Sequence, residues 1–338
     1  MTTSMTEHAT ANMSVTEKTC IEAQDLKIHF KLKCGLFSKP RYLKAVDGVS
    51  FSITQGKTMG LVGESGCGKS TVGRALLRLY DPAGGKILFN GEDITHSSDA
   101  QMQPYRKKMQ MIFQDPYTSL DPRKNIRDII AEPMWALRLH EGKDREDRVR
   151  ELIEMVGLKP DHLNRYPHEF SGGQRQRIGI ARALAAEPEF IVCDEPISAL
   201  DVSIQAQVIN ILEELQEKFH FTYLFISHDL SMVRHISSEV GVMYLGNLVE
   251  YAQVDELYDN MMHPYTKSLL SAVPVADPIR ASKRKRIILQ GDVPSPIDPP
   301  SGCPFRTRCA YAKDICAKEK PVLQNINDKH KVACHLYK

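Results

Sequence analysis

The sequence predicts an α/β fold with a mainly parallel sheet as its core, an inserted helical subdomain and a small cysteine-rich C-terminal module. Short apolar runs alternate with helical patterns over residues 20–271, and residues from about 115 to 180 are mainly helical in pattern. Beyond residue 271, proline-rich segments lead into a tail with four cysteines. We therefore expect a disordered leader over residues 1–19, an α/β domain over 20–271 and a separate module over 272–338.

The composition excludes two classes of protein. A formal net charge of +2 over 338 residues gives no reason to expect nucleic acid as a partner. The apolar runs are strand-sized, far below the roughly 20 residues that cross a bilayer. The first twenty residues are polar and lack the apolar stretch of a signal peptide, which favours the cytoplasm.

Cytoplasmic thiols stay reduced, so clustered cysteines there indicate metal binding or catalysis before disulfides. The scattered cysteines are expected to be ordinary free thiols. These are Cys20, Cys34, Cys67 and Cys193.

Three apolar runs predict strands that are buried on both faces. They are "TMGLVG" at 58–63, "EFIVCDEP" at 189–196 and "TYLFISHD" at 222–229. Ligands of open α/β sheets bind beyond the carboxyl ends of the strands, so the polar residues closing these runs are expected to share one site. After Asp201, apolar residues at helical spacing predict an amphipathic helix. They are Ile204, Val208, Ile211, Leu212 and Leu215.

The segment "GESGCGKS", residues 63–70, follows a strand and precedes a helix and fits the phosphate-binding pattern G-x-x-x-x-G-K-S. Its glycines let backbone N–H groups turn toward phosphate oxygens, Lys69 adds a positive charge, and Ser70 offers a hydroxyl to Mg²⁺. The sequence therefore predicts an ATP site here. Its residues are Gly63, Glu64, Ser65, Gly66, Cys67, Gly68, Lys69, Ser70 and Thr71.

Acidic and imidazole side chains close the other two strands. Asp194 is placed to hold Mg²⁺, and Glu195 to polarise an attacking water. His228 follows the third strand and is expected to reach the γ-phosphate.

The segment "FSGGQRQR", residues 170–177, resembles the signature of ABC transporter ATPases, and the remaining motifs stand in that family's order. The resemblance implies an ABC-type P-loop NTPase fold and ATP hydrolysis by two subunits packed head to tail. It implies that the signature faces the partner's ATP, that Asp201 belongs to the loop "SALD", and that Gln114 helps to hold Mg²⁺ and senses the γ-phosphate. The signature residues are Ser171, Gly172, Gly173 and Gln174.

The same resemblance implies an aromatic ring stacked on adenine, for which Phe30 aligns best and Tyr42 is the alternative. It also implies that the helical subdomain and the loop of Gln114 contact the membrane subunits.

Segments such as "MIFQDPYTSLDPR" and "HPYTKSLLSAVP" look like the oligopeptide/dipeptide importer branch, and most like its F-type ATPase. That likeness implies a heterodimer with a related D-type ATPase, two permeases, an extracytoplasmic solute-binding protein as an indirect partner, and a peripheral position on the cytoplasmic membrane face. Nickel, glutathione and other peptide-like solutes are alternatives within the branch. A soluble ABC ATPase without a transport role fits less well, because the chain has one cassette and no room for long coiled coils.

The tail cysteines Cys303, Cys309, Cys316 and Cys334 are spaced C-x5-C-x6-C-x17-C. Their thiolates suit zinc and iron–sulfur clusters alike, and the spacing matches neither the usual zinc nor the ferredoxin pattern. The resemblance favours a 4Fe-4S cluster of structural role. The alternatives are a Zn²⁺ site, unligated or disulfide-bonded cysteines, and a tail that acts as a metal-sensing regulatory module.

Overall fold

The computed structural model describes residues 18–32, 40–273 and 286–337. The expectations for leader residues 1–17 and for Cys34 lie outside these ranges. Cys20, Cys67 and Cys193 are buried free thiols, as predicted.

The main sheet has eight strands in the order β11-β12-β10-β9-β3-β8-β7-β6. In chain order they are β3 (Thr58–Val62), β6 (Met109–Ile112), β7 (Phe190–Asp194), β8 (Thr222–Ile226), β9 (Glu239–Tyr244), β10 (Asn247–Gln253), β11 (Gln324–Asn327) and β12 (His330–Val332). The pairs along β9-β3-β8-β7-β6 are parallel, which confirms the predicted core. Every residue of β3, β7 and β8 is buried, because helices and a second sheet cover both faces.

A second, antiparallel sheet has the order β2-β1-β4-β5. Its strands are β1 (Thr19–Lys31), β2 (Tyr42–Thr54), β4 (Gly84–Phe89) and β5 (Glu92–Asp93). Its buried face shares one hydrophobic core with β3 and with the first helix, through residues such as Ile28, Met59 and Val72. The sequence pattern did not reveal this sheet as a separate unit.

Ten α-helices lie within the described residues. They are α1 (Lys69–Leu76), α2 (Asp99–Lys108), α3 (Ile126–Leu137), α4 (Gly142–Met155), α5 (Gly172–Leu184), α6 (Val202–Phe219), α7 (Leu230–Ile236), α8 (Val254–Asp259), α9 (Pro264–Ser271) and α10 (Asp314–Lys318). None of them is long and apolar enough to cross a membrane.

Helices α3 to α5 lie between the adjacent parallel strands β6 and β7, where the helical insertion was predicted. In α6 the predicted apolar face is directed inward, with Val208 and Leu212 fully buried and Ile204 packed against the core.

The C-terminal strands continue the main sheet rather than forming a sheet of their own. Strand β12 pairs antiparallel with β10, and β11 pairs with β12. His330 of β12 and Glu250 of β10 form a buried pair, with Nε2 2.7 Å from Oε1. The domain limits named above remain a prediction.

Candidate functional site: a nucleotide cavity beyond the parallel strands

The phosphate-binding loop between β3 and α1 has the backbone conformation that its glycines predict. Gly63, Gly66 and Gly68 have φ values of 150°, 78° and 107°, which residues with a side chain rarely adopt. A Cβ on Gly68 would lie 2.2 Å from the carbonyl oxygen of Ala45. The loop is therefore held close to β2, and α1 begins directly after Gly68 with its N-terminus at the loop.

Lys69, Ser70 and Asp194 connect this loop to the end of β7. The Lys69 ammonium group is buried and donates hydrogen bonds to the carbonyl oxygens of Gly63 and Glu64, at 2.8 and 3.2 Å. The Ser70 hydroxyl donates to Asp194 Oδ1 at 2.6 Å. The start of α1 and the end of β7, which are distant in sequence, thus place a hydroxyl and a carboxylate side by side.

The Asp194 carboxyl is buried, and this burial raises its pKa, an effect that the Ser70 hydroxyl and the charge of Arg74 partly offset. Its Oδ2 atom is buried and has no hydrogen-bond partner among the described residues; it forms an ion pair with the Arg74 guanidinium, 3.7 Å away. A buried carboxylate oxygen without a hydrogen bond, beside a hydroxyl, is a donor set that suits Mg²⁺.

Glu195 contacts two other predicted site residues, Gln114 and His228. Its Oε2 accepts a hydrogen bond from Gln114 Nε2 at 2.8 Å and lies 3.5 Å from His228 Nδ1. Its backbone has a φ of 45°, and its N–H donates to the carbonyl oxygen of Ile226 on β8. The left-handed turn directs the carboxylate to the shared edge of β7 and β8, as the strand ends predicted.

A cavity of about 280 Å³ lies over the phosphate-binding loop. Phe30 lines it, packed edge-on against Tyr80 with ring centroids 5.2 Å apart. Tyr42, the alternative for adenine stacking, is 44% exposed and is not among the lining residues described. Among the described residues, the cavity is lined by Phe30, Leu43, Lys44, Ala45, Ser65, Gly66, Gly68, Lys69, Ser70, Thr71, Gln114, Glu195, Gly246 and Pro296.

Sequence reasoning missed several of these lining residues. Leu43 stands opposite Phe30 in the β1–β2 register, which pairing alone could have suggested. Pro296 belongs to the tail, and its carbonyl oxygen accepts a hydrogen bond from the Lys44 N–H at 3.2 Å. No sequence pattern links residue 296 to this cavity, because the contact depends on the path of the tail.

The signature lies at the N-terminus of α5, away from this cavity. Ser171 is exposed and caps the helix in a reciprocal arrangement with Gln174, whose side chain accepts from the Ser171 N–H at 3.0 Å. Gly173 packs so closely on α6 that a Cβ would lie 2.3 Å from Ile204 Cγ2. Asp201 is exposed at the start of α6, and none of these residues is among the described lining of the cavity.

The four tail cysteines are free thiols near one another. The Cys303 N–H donates to the Cys316 carbonyl oxygen at 2.7 Å. Gly302 lies so close to the same oxygen that a Cβ on Gly302 would be 2.3 Å from it. Burial, together with the charges of the other three cysteines, raises the pKa of Cys303 to about 11. Within the described ranges, however, no group of three or more His, Cys, Asp or Glu side chains is arranged to hold a metal ion.

Parallel strands closed by acids, a glycine-rich phosphate loop and a buried lysine together define a P-loop nucleotide-binding protein. The family profile "ABC transporter" matches residues 46–198, and the profile "Oligopeptide/dipeptide transporter, C-terminal region" matches residues 249–316.

Relatives match over nearly their whole length. The chain is 57% identical to the oligopeptide transport ATP-binding protein AppF of Bacillus subtilis, over 95% of this chain and 98% of the relative. It is 52% identical to the oligopeptide transport ATP-binding protein OppF of Salmonella typhimurium, over 94% of this chain and 96% of the relative. Among solved structures, the chain is similar to a dimeric ATP-binding cassette in a post-hydrolysis state, bound to ADP and Pi. The superposition has a TM-score of 0.62 at 25% sequence identity and covers 69% of this chain and 98% of that one. The chain therefore belongs to the ABC transporter ATPases, in the group of oligopeptide transport ATP-binding proteins.

Proposed function

We propose that this ATPase powers the import of oligopeptides or dipeptides through a membrane ABC transporter. The observation that carries the proposal is the convergence of Gln114, Glu195 and His228 beside the Lys69–Ser70–Asp194 group. A subunit that only bound nucleotide would not need a carboxylate held between an amide and an imidazole. The similarity to peptide transport proteins over 95% of the chain supports the cargo class.

In this proposal the loop N–H groups and Lys69 bind the phosphates of ATP, and Phe30 stacks on adenine. Mg²⁺, which Ser70, Asp194 and Gln114 would hold, supplies charge neutralisation at the β- and γ-phosphates. Glu195 accepts a hydrogen bond from the attacking water and orients it, while His228 contacts the γ-phosphate. Gln114 then links the presence of the γ-phosphate to the helical subdomain, since it bonds Glu195 from the loop that leads into that subdomain.

The subunit is proposed to act head to tail with a related D-type ATPase. Ser171, Gly172, Gly173 and Gln174 would face the partner's ATP, with Asp201 beside them. Ser171 is exposed at the capped N-terminus of a 13-residue helix, which supports this arrangement, because N–H groups and the helix dipole there favour an anion.

The assembly is proposed to contain two permeases, with this chain on the cytoplasmic face of the membrane. The groove next to Gln114 is proposed as the surface that contacts the membrane subunits. The extracytoplasmic solute-binding protein would reach this chain only through the permeases. The groove has a volume of about 630 Å³, and Phe113, Pro133 and Arg182 are among its lining residues. Phe113 is 40% exposed, as a partner surface requires of an aromatic anchor.

For Cys303, Cys309, Cys316 and Cys334 we propose a 4Fe-4S cluster, with Zn²⁺ as the alternative metal. Free thiols are the donors that such clusters take, although the four side chains are not arranged around a metal position within the described residues, and a tail with little core of its own would gain folding energy from ligation. Anaerobic purification followed by iron, zinc and sulfide analysis tests this. About four iron and four sulfide per chain would support the cluster; zinc alone would replace it, and metal-free protein would reject both.

Transport itself is tested in vesicles containing the permeases, the partner ATPase and this chain. We expect ATP-dependent uptake of a labelled tripeptide, and we expect Glu195→Gln to bind ATP while hydrolysis falls by about 10²- to 10⁴-fold. Uptake of nickel or glutathione in place of peptide would overturn the cargo assignment. Hydrolysis without any permease association would overturn the transport role.

A further inference from the structure

Glu64 occupies a position of the phosphate-binding motif to which the motif assigns no role, and the C-terminal region holds it at two points. Its main-chain N–H donates to the Tyr265 hydroxyl at 2.8 Å. Its carboxylate Oε2 accepts a hydrogen bond from the Arg308 guanidinium, also at 2.8 Å. Tyr265 lies on α9 and Arg308 lies between two of the tail cysteines, so two separate segments of the C-terminal region, one before and one after residue 271, reach the loop.

Both contacts come from groups that are themselves fixed. Tyr265 is fully buried, and the Arg308 side chain is only 9% exposed. Phe305, in the same turn as Arg308, is 1% exposed, and its ring centroid lies 5.4 Å from that of Tyr265 and 5.1 Å from that of Tyr244. The main-chain N–H of Arg308 donates to the Phe305 carbonyl oxygen at 3.0 Å, and the Arg308 guanidinium lies over the Tyr244 ring, 6.0 Å from its centroid.

The charge of Glu64 gives these contacts a consequence. A carboxylate within a phosphate-binding loop repels the triphosphate unless a cation compensates it. The Arg308 guanidinium supplies that cation through a charge-assisted hydrogen bond in a largely buried setting, where such a bond is stronger than at the surface.

We propose that Arg308 and Tyr265 are positioning residues of the ATP site, which hold the phosphate-binding loop in shape through Glu64 and neutralise its carboxylate. The C-terminal region is then part of the nucleotide site. This inference rests on the proposed binding of ATP to the loop, but it is independent of any metal at the cysteines.

The test measures the affinity of the full-length chain for a fluorescent ATP analogue with Mg²⁺, below the melting temperature of each variant. Arg308→Ala should raise Kd about 10-fold, since roughly 1.4 kcal/mol corresponds to one such factor. Arg308→Lys should recover part of the loss, because the charge remains. Arg306→Ala is the matched control: Arg306 lies in the same turn, but within the described residues its side chain bonds only to Ser301, and the Kd of this variant should stay within about twofold of wild type.

A double-variant cycle shows whether the effect acts through Glu64. In a Glu64→Gln background, Arg308→Ala should change Kd by less than about twofold, because there is no longer a carboxylate to hold or neutralise. Tyr265→Phe, which keeps the ring and removes only the hydroxyl, should raise Kd about threefold. In the assembled transporter, Arg308→Ala should raise KM for ATP with little change in kcat.

An Arg308→Ala variant that melts at a lower temperature but binds the analogue like wild type would overturn the inference, and so would a full 10-fold loss in the Glu64→Gln background. Wild-type protein that fails to bind the analogue would instead overturn the proposed function on which the inference rests. The two failures are therefore distinguishable.

Discussion

At the scale of single residues, the ATP site depends on a few positions where only one residue type satisfies the geometry. Gly68 has both a left-handed backbone and the Ala45 carbonyl oxygen where a Cβ would be. Gly66, two residues earlier, has a positive φ but no atom within 4 Å of its Cβ position. Backbone strain and steric clash can therefore be separated within one loop.

We predict that Gly68→Ala lowers the free energy of unfolding by about 2–3 kcal/mol, because the substitution adds a clash to an unfavourable φ. Gly66→Ala should cost only about 1 kcal/mol, the strain without the clash. Denaturant unfolding of both variants measures the difference. Equal losses would mean that the loop moves away from Ala45 at no cost.

At the scale of secondary-structure elements, two helices begin with the same cap but differ in their proposed roles. Ser98 of α2 and Ser171 of α5 each accept a hydrogen bond from the N–H three residues on, and each is paired with a glutamine in a reciprocal arrangement. Only Ser171 belongs to the signature. Ser98 is therefore a control within the same chain, which separates the effect of helix capping on stability from the proposed role of Ser171 in ATP hydrolysis.

Ser98→Ala and Ser171→Ala should each lower the free energy of unfolding by about 1 kcal/mol, the usual value of such a cap. Only Ser171→Ala should also reduce ATP hydrolysis by the assembled pair, by about 10-fold or more, because its hydroxyl is proposed to contact the partner's ATP. Calorimetry and steady-state ATPase assays report the two effects. An equal ATPase loss in both variants would assign the effect to stability alone.

At the scale of the whole molecule, a buried polar network joins the tail to the ATPase sheet. Glu250 of β10 accepts hydrogen bonds from the N–H groups of Met262 and His263 and pairs with His330 of β12. Burial alone would lower the pKa of His330, but the hydrogen bonds and charges of Glu250 and Glu256 raise it above its usual value. Burial lowers the pKa of His263 to about 4, against a smaller opposing effect of Glu250.

Because the pKa of His330 is raised and that of His263 is lowered, we predict that this network stabilises the fold most near pH 6.5. The His330 contribution is complete below the unfolded pKa of about 6.5 and is lost as the pH rises through its higher folded value. His263 is neutral when folded, so its contribution is present above about 6.5 and is lost as the pH falls toward 4.

Melting temperatures measured against pH test this prediction. His330→Gln should flatten the decline on the alkaline side and leave the acidic side in place. A wild-type alkaline limb unchanged by His330→Gln would contradict the assignment.

Much of this protein is determined by the sequence alone. Local residue patterns predicted the three buried strands, the phosphate loop, α6 and the acids at the strand ends, because each of these features depends on residues close together in the chain. The meeting of Glu195 and His228 also followed, since parallel strands bring their carboxyl ends to one edge, whereas the role of Gln114 was implied only by the family resemblance. The tertiary structure alone decided how the tail meets the core: β12 extends the sheet, Pro296 lines the cavity, and Arg308 reaches Glu64 across 244 positions of sequence. These contacts follow from packing and chain path, and they leave no periodic or spaced pattern that a reading along the chain could detect.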